Sequence, residues 1–557
     1  MNMTEEPSHR SSIPGDVLPD ATIVSVSAGL RWRPTDTCRM YLRFATELPR
    51  FLRSPVSLNQ ARAEFPIRLQ EREQRFLSIL QRSVFTRPRS PYLALLRMAG
   101  CEYGDIERMM TSDGLEATLK CLAQKGVWLS FNEFKGKQLI VRGSWSLEVN
   151  AAEFDSPLNH GHIVARSGGG ASPGTRTVYD LAHIRAARSS YKLLTFEAFD
   201  VTHLPVIMWS PVAPGYGPLE LLAHAGMGKA PLRWFSPVAP TTGSSSAKDR
   251  LINRYLTLAS AMAGVRLPPP QFTPPSEVWR ITKTVLDARG RHGGCVVLTD
   301  PSCAVRICQS ALARSEQLDG VLFMIGGEPI TRHKLAFLEE AGARSSPLFV
   351  FIEGGYVGIG CLNPADIDEV HVLSDSVALI QHNRRVEHAR QNVDAFLFTT
   401  LLPTAPKLLM NVESGDWGRV HRRDCGCYFE QLGLHEHIST IRSFDKFTSA
   451  GMNVTASSLL RIVEEILPQS FGGTLLDYQL REEEGQDGVP HITVVIDPGI
   501  GPIDESAVVN TIFMELVRHG KSGALEQVWR AAHTFQVARE SPQVTARGKL
   551  LPLHVKR

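Results

Sequence analysis

The stretch DGVLFMIGGEPITRHKLAFLEEAGARSSPLFVFIEGG, residues 319–355, decides the fold. Two apolar, β-rich runs, at 321–325 and 348–352, enclose a segment whose apolar residues recur at helical spacing. Glycines followed by Glu-Pro end the first run, and Glu353 followed by two glycines ends the second. A strand, a helix and a strand in this order predict a layered α/β sheet. Both loops are candidate binding segments, because ligands of α/β folds bind at the carboxyl ends of strands.

The same alternation extends outward from this stretch. Apolar runs at 176–181, 204–210 and 293–300 predict further strands, and KDRLINRYLTLASAMAGV, residues 248–265, predicts a helix between two of them. Upstream, residues 37–139 have mostly helical apolar spacing. The proline-rich segment LPPPQFTPP, residues 267–275, predicts a surface crossing.

The last 115 or so residues form a separate α+β pattern. A helical segment at 456–467 precedes two strand-like runs at 475–483 and 491–497, and a second helical segment follows at 504–520. We therefore predict an α/β fold with two domains. Residues 1–443 form a large N-terminal domain of layered sheets and helices, with 1–140 as a mostly helical lead-in, and residues 444–557 form a small α+β C-terminal domain.

Composition excludes several classes of protein. The 557 residues are 43% apolar and 21% charged, which excludes a disordered or fibrous chain. Sixty basic against 57 acidic residues give a net charge of +3, which argues against a nucleic-acid binder held by bulk charge. No apolar run reaches the roughly 18–20 residues that span a bilayer. The polar N-terminus lacks a signal-peptide core and the nine cysteines are sparse, so we expect a cytoplasmic protein that binds no membrane and keeps its thiols reduced.

Residues 167–177, SGGGASPGTRT, are the first candidate site. Four glycines and four hydroxyl residues precede a predicted strand. Glycine lets the backbone approach a phosphate closely, and hydroxyl and N–H groups donate to its oxygens. No Gly-Lys-Ser/Thr follows, so this is not a Walker loop. Taken alone, the segment is equally typical of a surface loop.

Four further motifs follow in order along the chain. They are Gly326-Gly327-Glu328-Pro329 after one strand, Glu353 after the next, Glu413-Ser-Gly-Asp416 in a predicted turn, and Gly548-Lys549 near the C-terminus. A carboxylate at a strand end can hold Mg²⁺ on a nucleotide phosphate. Each motif alone is also compatible with an ordinary turn or, for Gly548-Lys549, with a solvated tail.

Taken together and in this order, with Arg442 near the domain junction, the motifs carry a resemblance. From about residue 100 to the C-terminus the chain resembles the acyl- and aryl-adenylate-forming superfamily, and within it the phenylacetate–CoA ligase branch. The resemblance implies an AMP-forming ligase. A carboxylic acid attacks the α-phosphate of ATP to give an acyl-adenylate and pyrophosphate, and a thiol such as coenzyme A then takes the acyl group. It further implies a mobile small domain and a homodimer.

The resemblance also implies roles for individual residues. It assigns the nucleotide-binding loop to Ser167, Gly168, Gly169, Gly170, Ser172, Gly174 and Thr175, and further nucleotide contacts to Gly327, Glu328 and Pro329. It places Mg²⁺ at Glu353 and the ribose hydroxyls at Asp416 and Arg442. It places the α-phosphate and the substrate carboxylate at Lys549.

Departures from the family pattern mark a divergent member. The usual aromatic-Gly-x-Thr-Glu is here Val-Phe-Ile-Glu353, without the threonine. The usual Asp-Asp hinge pair is here Phe444-Asp445, and Arg176 stands one residue away from the usual loop lysine. The substrate and the acceptor therefore do not carry over from the family.

A Cys-x-Cys pair, Cys425-Gly-Cys427, points to a metal. Two thiolates this close can share one tetrahedral ion. The resemblance, to relatives with a structural Zn²⁺, implies a closed set of Cys361, His371, Cys425 and Cys427. Two alternatives remain open: a local site that uses His435 and His437, or no metal at all. The other six cysteines, at 38, 101, 121, 295, 303 and 308, stand singly in apolar stretches and are expected in the core.

Three functions remain open from the sequence. The first is an ATP-dependent ligase that joins an acyl or aryl acid to coenzyme A or charges a carrier protein. The second is a divergent adenylating enzyme that passes an acid, or an oxyacid such as nitrite, to an amine. The third is a non-catalytic nucleotide-binding protein. Aromatic residues between 209 and 235 are candidates for the acid pocket and equally for the core.

Overall fold

The computed structural model describes residues 22–25, 34–166, 175–213, 215–238, 247–386, 391–444, 446–449, 452–474, 477–486, 488–520, 523–543 and 553–555. Three predictions from the sequence lie outside these ranges. They concern the loop residues Ser167, Gly168, Gly169, Gly170, Ser172 and Gly174, the hinge residue Asp445, and Lys549.

The lead-in is helical, as predicted. Its helices are α1 (Pro34–Arg53), α2 (Leu58–Gln70), α3 (Arg72–Leu80), α4 (Pro91–Met98), α5 (Tyr103–Asp113), α6 (Leu115–Gln124) and α7 (Phe131–Phe134). Reciprocal bonds between Ser57 and Gln60 cap the start of α2. Gly114, at φ +80°, separates α5 from α6. Apolar residues of α3 to α6 share one buried cluster with the large sheet, so the lead-in is part of the large unit.

Two small sheets accompany the lead-in, and the first includes a strand that precedes α1. Their strands are β1 (Thr22–Ser25), β2 (Ile140–Arg142), β3 (Trp145–Glu148), β4 (Ile163–Arg166) and β5 (Arg176–Tyr179). The first sheet has the order β1-β3-β2. In the second, β4 and β5 pair antiparallel with Arg166 opposite Arg176. The glycine-rich segment 167–175 therefore joins the ends of a hairpin.

A mixed sheet of twelve strands forms the centre of the molecule. Its strands are β6 (Val206–Trp209), β7 (Arg233–Ser236), β8 (Pro270–Phe272), β9 (Cys295–Thr299), β10 (Val321–Gly326), β11 (Arg344–Phe351), β12 (Gly355–Ile359), β13 (Val370–Val372), β14 (Val377–Val386), β15 (Gln391–Thr400), β16 (Val412–Arg422) and β17 (Glu436–Ser443). The order is β14-β15-β16-β17-β13-β12-β11-β10-β9-β6-β7-β8. The last six strands in this order, β11-β10-β9-β6-β7-β8, pair in parallel with one another. All other neighbouring strands of the sheet pair antiparallel.

Helices flank this sheet. They are α8 (Leu181–Ile184), α9 (Ser190–Ala198), α10 (Gly217–Gly226), α11 (Ala247–Met262), α12 (Trp279–His292), α13 (Pro301–Leu312), α14 (Arg332–Glu340) and α15 (Tyr428–Gln431). Two separate buried clusters contain alternate residues of β6 and β9, which places apolar layers on both faces of these strands. This agrees with the layered α/β architecture predicted from residues 319–355. None of the helices within the described ranges combines the length and apolar character that a membrane crossing requires.

The C-terminal part forms its own small α+β unit. Its elements are β18 (Lys446–Ser449), β19 (Met452–Thr455), α16 (Ala456–Arg461), α17 (Leu467–Phe471), β20 (Tyr478–Glu484), β21 (Pro490–Ile496), α18 (Glu505–Gly520), α19 (Gly523–Ala531), β22 (Phe535–Arg539) and β23 (Leu553–Val555). A four-stranded sheet of order β22-β21-β20-β23 packs with the helices around one buried cluster. Contacts to the large unit include Arg306 Nη2 to the Ala532 carbonyl at 3.2 Å.

The proline-rich segment 267–275 lies at the edge of the sheet and contains β8, which pairs in parallel with β7. Prolines are tolerated in an edge strand because one side needs no donor. Two other expectations from the sequence need correction. The segment from Glu413 to Asp416 is part of the long strand β16 and not a turn. Cys38 is exposed and Cys121 half-buried, whereas the other four single cysteines are buried as expected.

Candidate functional site

The candidate site lies along the carboxyl edge of the parallel strands. The strand order reverses between β6 and β9, since the chain runs from β6 outward to β8 and then from β9 outward to β11. Such a reversal opens a crevice where α/β folds bind ligands. Four buried polar residues follow the ends of these strands: Ser210, Asp300, Glu328 and Glu353. The structure thus brings the GGEP loop and the Glu353 loop to one edge, as the sequence predicted.

Glu353 is held by a lysine that no sequence motif predicted. The Lys135 ammonium, at the end of α7, forms an ion pair with the Glu353 carboxylate, and both side chains are at most 6% exposed. Burial raises the pKa of Glu353, but Lys135 more than offsets this, so the pKa lies below its usual range. Burial lowers the pKa of Lys135, and Glu353 opposes that effect. The two charges therefore stabilise each other in a site closed to water.

More charged groups extend this pair toward the glycine-rich loop. Lys407 Nζ lies 2.6 Å from Asp155 Oδ1, and Arg176 Nη2 lies 2.5 Å from Asp155 Oδ2. Arg176 opens β5 directly after the loop, and Lys407 acts on the pKa of both Lys135 and Glu353. Three cations and two carboxylates thus lie together, and cations in a partly buried place favour an anion such as a phosphate.

The arrangement at Glu353 does not fit the Mg²⁺ that the resemblance implies there. Mg²⁺ needs oxygen ligands around it in near-octahedral geometry. The Glu353 carboxylate is bound by the Lys135 ammonium instead. Within the described ranges, no group of three or more metal-ligating side chains includes Glu353. We therefore derive no step through a metal at this residue.

A buried polar network, missed from the sequence, runs beneath the edge. The Tyr179 hydroxyl donates to the carbonyl of Ile352, next to Glu353, and accepts from Arg188. Arg188 pairs at 2.5 Å with Glu220, which also accepts from the Tyr356 hydroxyl at 2.8 Å. These residues are spread over nearly 180 positions, so no local motif could have revealed them. The network supports the Glu353 loop from below and fixes its backbone.

A second carboxylate pair lies at the ends of β9 and β10. Glu328 Oε2 accepts from the Ser302 hydroxyl and backbone, and lies 3.3 Å from Lys334 Nζ. Asp300 caps α13 by accepting from the Cys303 backbone at 2.9 Å. Burial and the nearby Glu328 raise the pKa of Asp300 to about 7. Sequence reasoning used this aspartate only as the end of a strand, although its place after an apolar run was the available signal.

Asp416 and Arg442 lie on the neighbouring strands β16 and β17. Asp416 is buried opposite Ser443. Arg442 stands opposite Trp417 and binds Asp368 Oδ2 at 3.1 Å. Asp368 also accepts from the backbone of two residues of β17, so the guanidinium is fixed to the edge of this strand pair. The structure brings the two predicted ribose residues close together in register.

The Cys/His set forms a compact centre at the other end of this strand pair. The ligand atoms of Cys361, His371, Cys425 and Cys427 all lie within 4.8 Å of one another. His371 Nε2 lies 3.5 Å from Cys425 Sγ and 3.2 Å from Cys427 Sγ. His371 Nδ1 donates to the Leu434 carbonyl at 3.0 Å, which fixes the ring and points the other nitrogen at the thiols. Three thiols and one oriented imidazole fit a closed tetrahedral Zn²⁺ site.

The three thiols of this centre shift one another's pKa. A hydrogen bond from Cys361 lowers the pKa of Cys427 to about 3 and raises that of Cys361. Burial raises the pKa of Cys425 to about 11. The thiolate is the form of cysteine that binds a metal ion.

The two histidines of the alternative metal site belong to separate groups. His437 lies with Glu369 and His421, and His435 lies with Asp424 and Glu430. The Arg423 guanidinium already binds Glu369. The local site that would use both histidines together is therefore not formed.

Four of the five candidates for the acid pocket belong to the core. Trp209, Trp234 and Phe235 are buried in β6 and β7. The indole nitrogens donate to the carbonyls of Thr273 and Ser210. His224 is buried in α10, whereas Tyr216, just before this helix, is half-buried.

Comparisons with known proteins give only distant similarities. No family profile and no curated protein matches the sequence. A 2-hydroxyisobutyryl-CoA ligase in complex with 2-HIB-AMP and CoA is similar over 90% of this chain and 92% of its own, at 12% identity and a TM-score of 0.48. A malonyl-CoA ligase with methylmalonyl-CoA and AMP is similar over 69% and 72%, at 13% identity and a TM-score of 0.39.

A third similarity is to an o-succinylbenzoate CoA synthetase from Bacillus subtilis. It covers 71% of this chain and 69% of that one, at 12% identity and a TM-score of 0.38. Because all three TM-scores lie below 0.5, these similarities do not decide the function of this chain.

Proposed function

We propose that this chain is an ATP-dependent, AMP-forming ligase that activates an acyl or aryl acid and passes it to a thiol such as coenzyme A. The observation that carries the proposal is the charged cluster of Lys135, Lys407, Arg176, Glu353 and Asp155. It is largely buried, lies next to the end of β11 in the parallel part of the sheet, and includes Arg176, the residue that follows the glycine-rich segment in the chain. Phosphates of a nucleotide are the ligands that this combination recognises best.

The remaining roles follow the chemistry of the reaction. Backbone and hydroxyl groups of residues 167–175 bind the phosphates, and Glu328 stands at the adjoining loop. Asp416 accepts from the ribose hydroxyls, with Arg442 beside it. As the acid oxygen attacks the α-phosphate, negative charge grows on the phosphate oxygens. Lys549, from the small unit, stabilises that charge. Mg²⁺ accompanies ATP in solution, and Glu353 takes no part in holding it in this proposal.

The two-domain organisation is part of the same proposal. We place the boundary between residues 443 and 444, because β17 of the large sheet ends at Ser443 and the next strands form a different sheet. The small domain carries Lys549 to the nucleotide in the first step and must move for the thiol to enter in the second. We further propose that Cys361, His371, Cys425 and Cys427 bind a structural Zn²⁺, which takes no part in the chemistry.

A divergent acceptor is the second candidate. The missing threonine before Glu353 and the Lys135 pair both alter the loop that faces the phosphates, which favours a reaction outside the usual substrate range. In this alternative the activated acid or oxyacid passes to an amine or a carrier protein.

One experiment separates these candidates. Purified protein is incubated with ATP and a panel of acids, and pyrophosphate release is measured with and without coenzyme A. Release that needs an acid and rises with coenzyme A supports the ligase. Release that needs an acid but ignores coenzyme A favours the amine or carrier acceptor. ATP binding without release under any condition would leave only a non-catalytic nucleotide-binding protein.

A further inference from the structure

Lys135 comes from the helical lead-in, more than 200 residues before the glutamate that it binds. Hydrogen bonds of the preceding residues hold its backbone in place. Reciprocal bonds between Ser130 and Glu133 cap α7, and the neighbouring Leu129 exchanges backbone hydrogen bonds with Asn411 and Glu413 around the start of β16. The segment that presents the lysine is therefore fixed to the central sheet.

The chain just after Lys135 is equally constrained. Gly136 has φ +65°, and a Cβ atom there would lie 2.7 Å from the Val149 carbonyl oxygen. A side chain at this position would force the turn apart. The glycine thus lets the chain reverse its direction directly after Lys135. The backbone of the lysine therefore has little freedom to move away from Glu353.

The side chain of Lys135 is confined as well. Its ammonium lies 4.9 Å from the ring centre of Phe131 and 5.9 Å from that of Phe134. Aromatic faces attract a cation, more so in a desolvated site. Glu353 is the anion that completes its surroundings. Breaking a buried ion pair leaves an uncompensated charge behind, so the pair strongly resists separation.

We propose that Lys135 is a resident cation that takes the position of a divalent metal at Glu353, so that this glutamate is closed to metal ions. The lead-in thereby contributes directly to the site, because it supplies the positive charge that the Glu353 carboxylate needs. The inference rests on the proposed function only for the identity of the anion at the loop. Whether Glu353 binds a metal is a separate question with its own test.

The test measures Mn²⁺ binding to the full-length protein without nucleotide, by counting free Mn²⁺ with electron paramagnetic resonance. Wild type and Glu353→Gln should bind the same number of Mn²⁺ ions. Lys135→Met removes the ammonium but keeps the bulk of the side chain, and it should gain one Mn²⁺ per chain that wild type does not bind. That ion should be lost in the double variant Lys135→Met/Glu353→Gln. Lys135→Arg keeps the cation and should behave like wild type.

Lys192→Met is the matched control. Lys192 is also a buried lysine paired with a glutamate, Glu220, at 2.8 Å, and is equally hidden from solvent. Glu220 retains Arg188 after the substitution, so no Mn²⁺ should appear. Circular dichroism and gel filtration establish that each variant is folded. If Lys135→Met does not fold, the comparison of wild type with Glu353→Gln still tests the claim.

Two results would overturn the inference. Loss of a bound Mn²⁺ in Glu353→Gln alone would make Glu353 a metal ligand beside Lys135. Absence of a new Mn²⁺ in folded Lys135→Met would show that the lysine does not stand in a metal's place. Neither depends on pyrophosphate release, so a failure of the proposed ligase activity would leave the metal result standing.

Discussion

Replacing Cys425 with serine should remove zinc from the protein and loosen the region that the metal joins. A neutral hydroxyl is a poor zinc ligand, whereas thiolates and imidazole are the usual ones. Cys425 is the half-buried member of the set, so the substitution disturbs packing less than one at the buried Cys361 or Cys427. The loss should therefore report on the metal rather than on the core.

The expected magnitude follows from the segments that the centre connects. Its ligands come from the end of β12, from β13 and from the loop before α15. A cross-link between Cys361 and Cys427 closes about 65 residues, and loop-closure entropy for a link of this length corresponds to about 4 kcal/mol. One substitution leaves three ligands and a weakened site, so we expect part of this value. The midpoint of thermal unfolding should fall by several degrees.

Two measurements test this prediction together. Metal analysis of purified wild type should give about one zinc per chain, and Cys425→Ser should give much less. Differential scanning fluorimetry should show the lower midpoint, and added chelator should lower the wild-type midpoint toward that of the variant. Cys121→Ser is the control, because Cys121 is also half-buried but lies in α6 outside the cluster. It should change neither quantity.

The reasoning is refuted if wild type carries no metal and chelator has no effect on its unfolding. It is refuted in a different way if zinc survives Cys425→Ser but is lost on His421→Ala. That result would assign the metal to the neighbouring group of Glu369, His421 and His437.

Three further predictions concern the proposed reaction and its surroundings. Asp416→Ala should weaken ATP binding about ten- to a hundredfold by calorimetry, since a ribose hydroxyl pair loses its acceptor; an unchanged affinity contradicts the assignment. Asp300→Asn should flatten the pH dependence of the free energy of unfolding. In wild type the pKa of Asp300 is near 7 in the folded state, so the protonated carboxyl stabilises the fold fully below about pH 4. That contribution, up to a few kcal/mol, is lost as pH rises through 7. Unfolding midpoints at fixed ionic strength between pH 5 and 8 check this, and parallel curves for the two proteins contradict it. Lys549→Ala should slow acid-dependent pyrophosphate release about 10²–10³-fold while ATP still binds and a supplied acyl-adenylate is still converted; equal loss of both half-reactions would indicate a misfolded small domain instead.

Sequence periodicity predicted the helices and strands that depend only on residues close together in the chain. The strands on either side of residues 326–329, the helical lead-in and the α+β pattern of the last 115 residues all depend on spacing within a dozen residues. The exceptions have physical reasons. Residues 270–272 form a strand despite their prolines because an edge strand needs donors on one side only. The segment from Glu413 to Asp416 was interpreted as a turn because of Gly415, but pairing with two neighbouring strands outweighs that local preference.

The candidate site shows where such prediction stops. The Cys-x-Cys pair was recognisable because two thiols this close can share one metal ion, whereas Cys361 and His371 were implied only by the family resemblance. Lys135 was not, because nothing in FNEFKGK distinguishes a lysine that ends in a buried ion pair from one in solvent. Its partner is fixed only by the packing of the lead-in against β16, and that packing depends on the whole large unit. A motif therefore located Glu353, but only the three-dimensional arrangement shows which cation the glutamate holds.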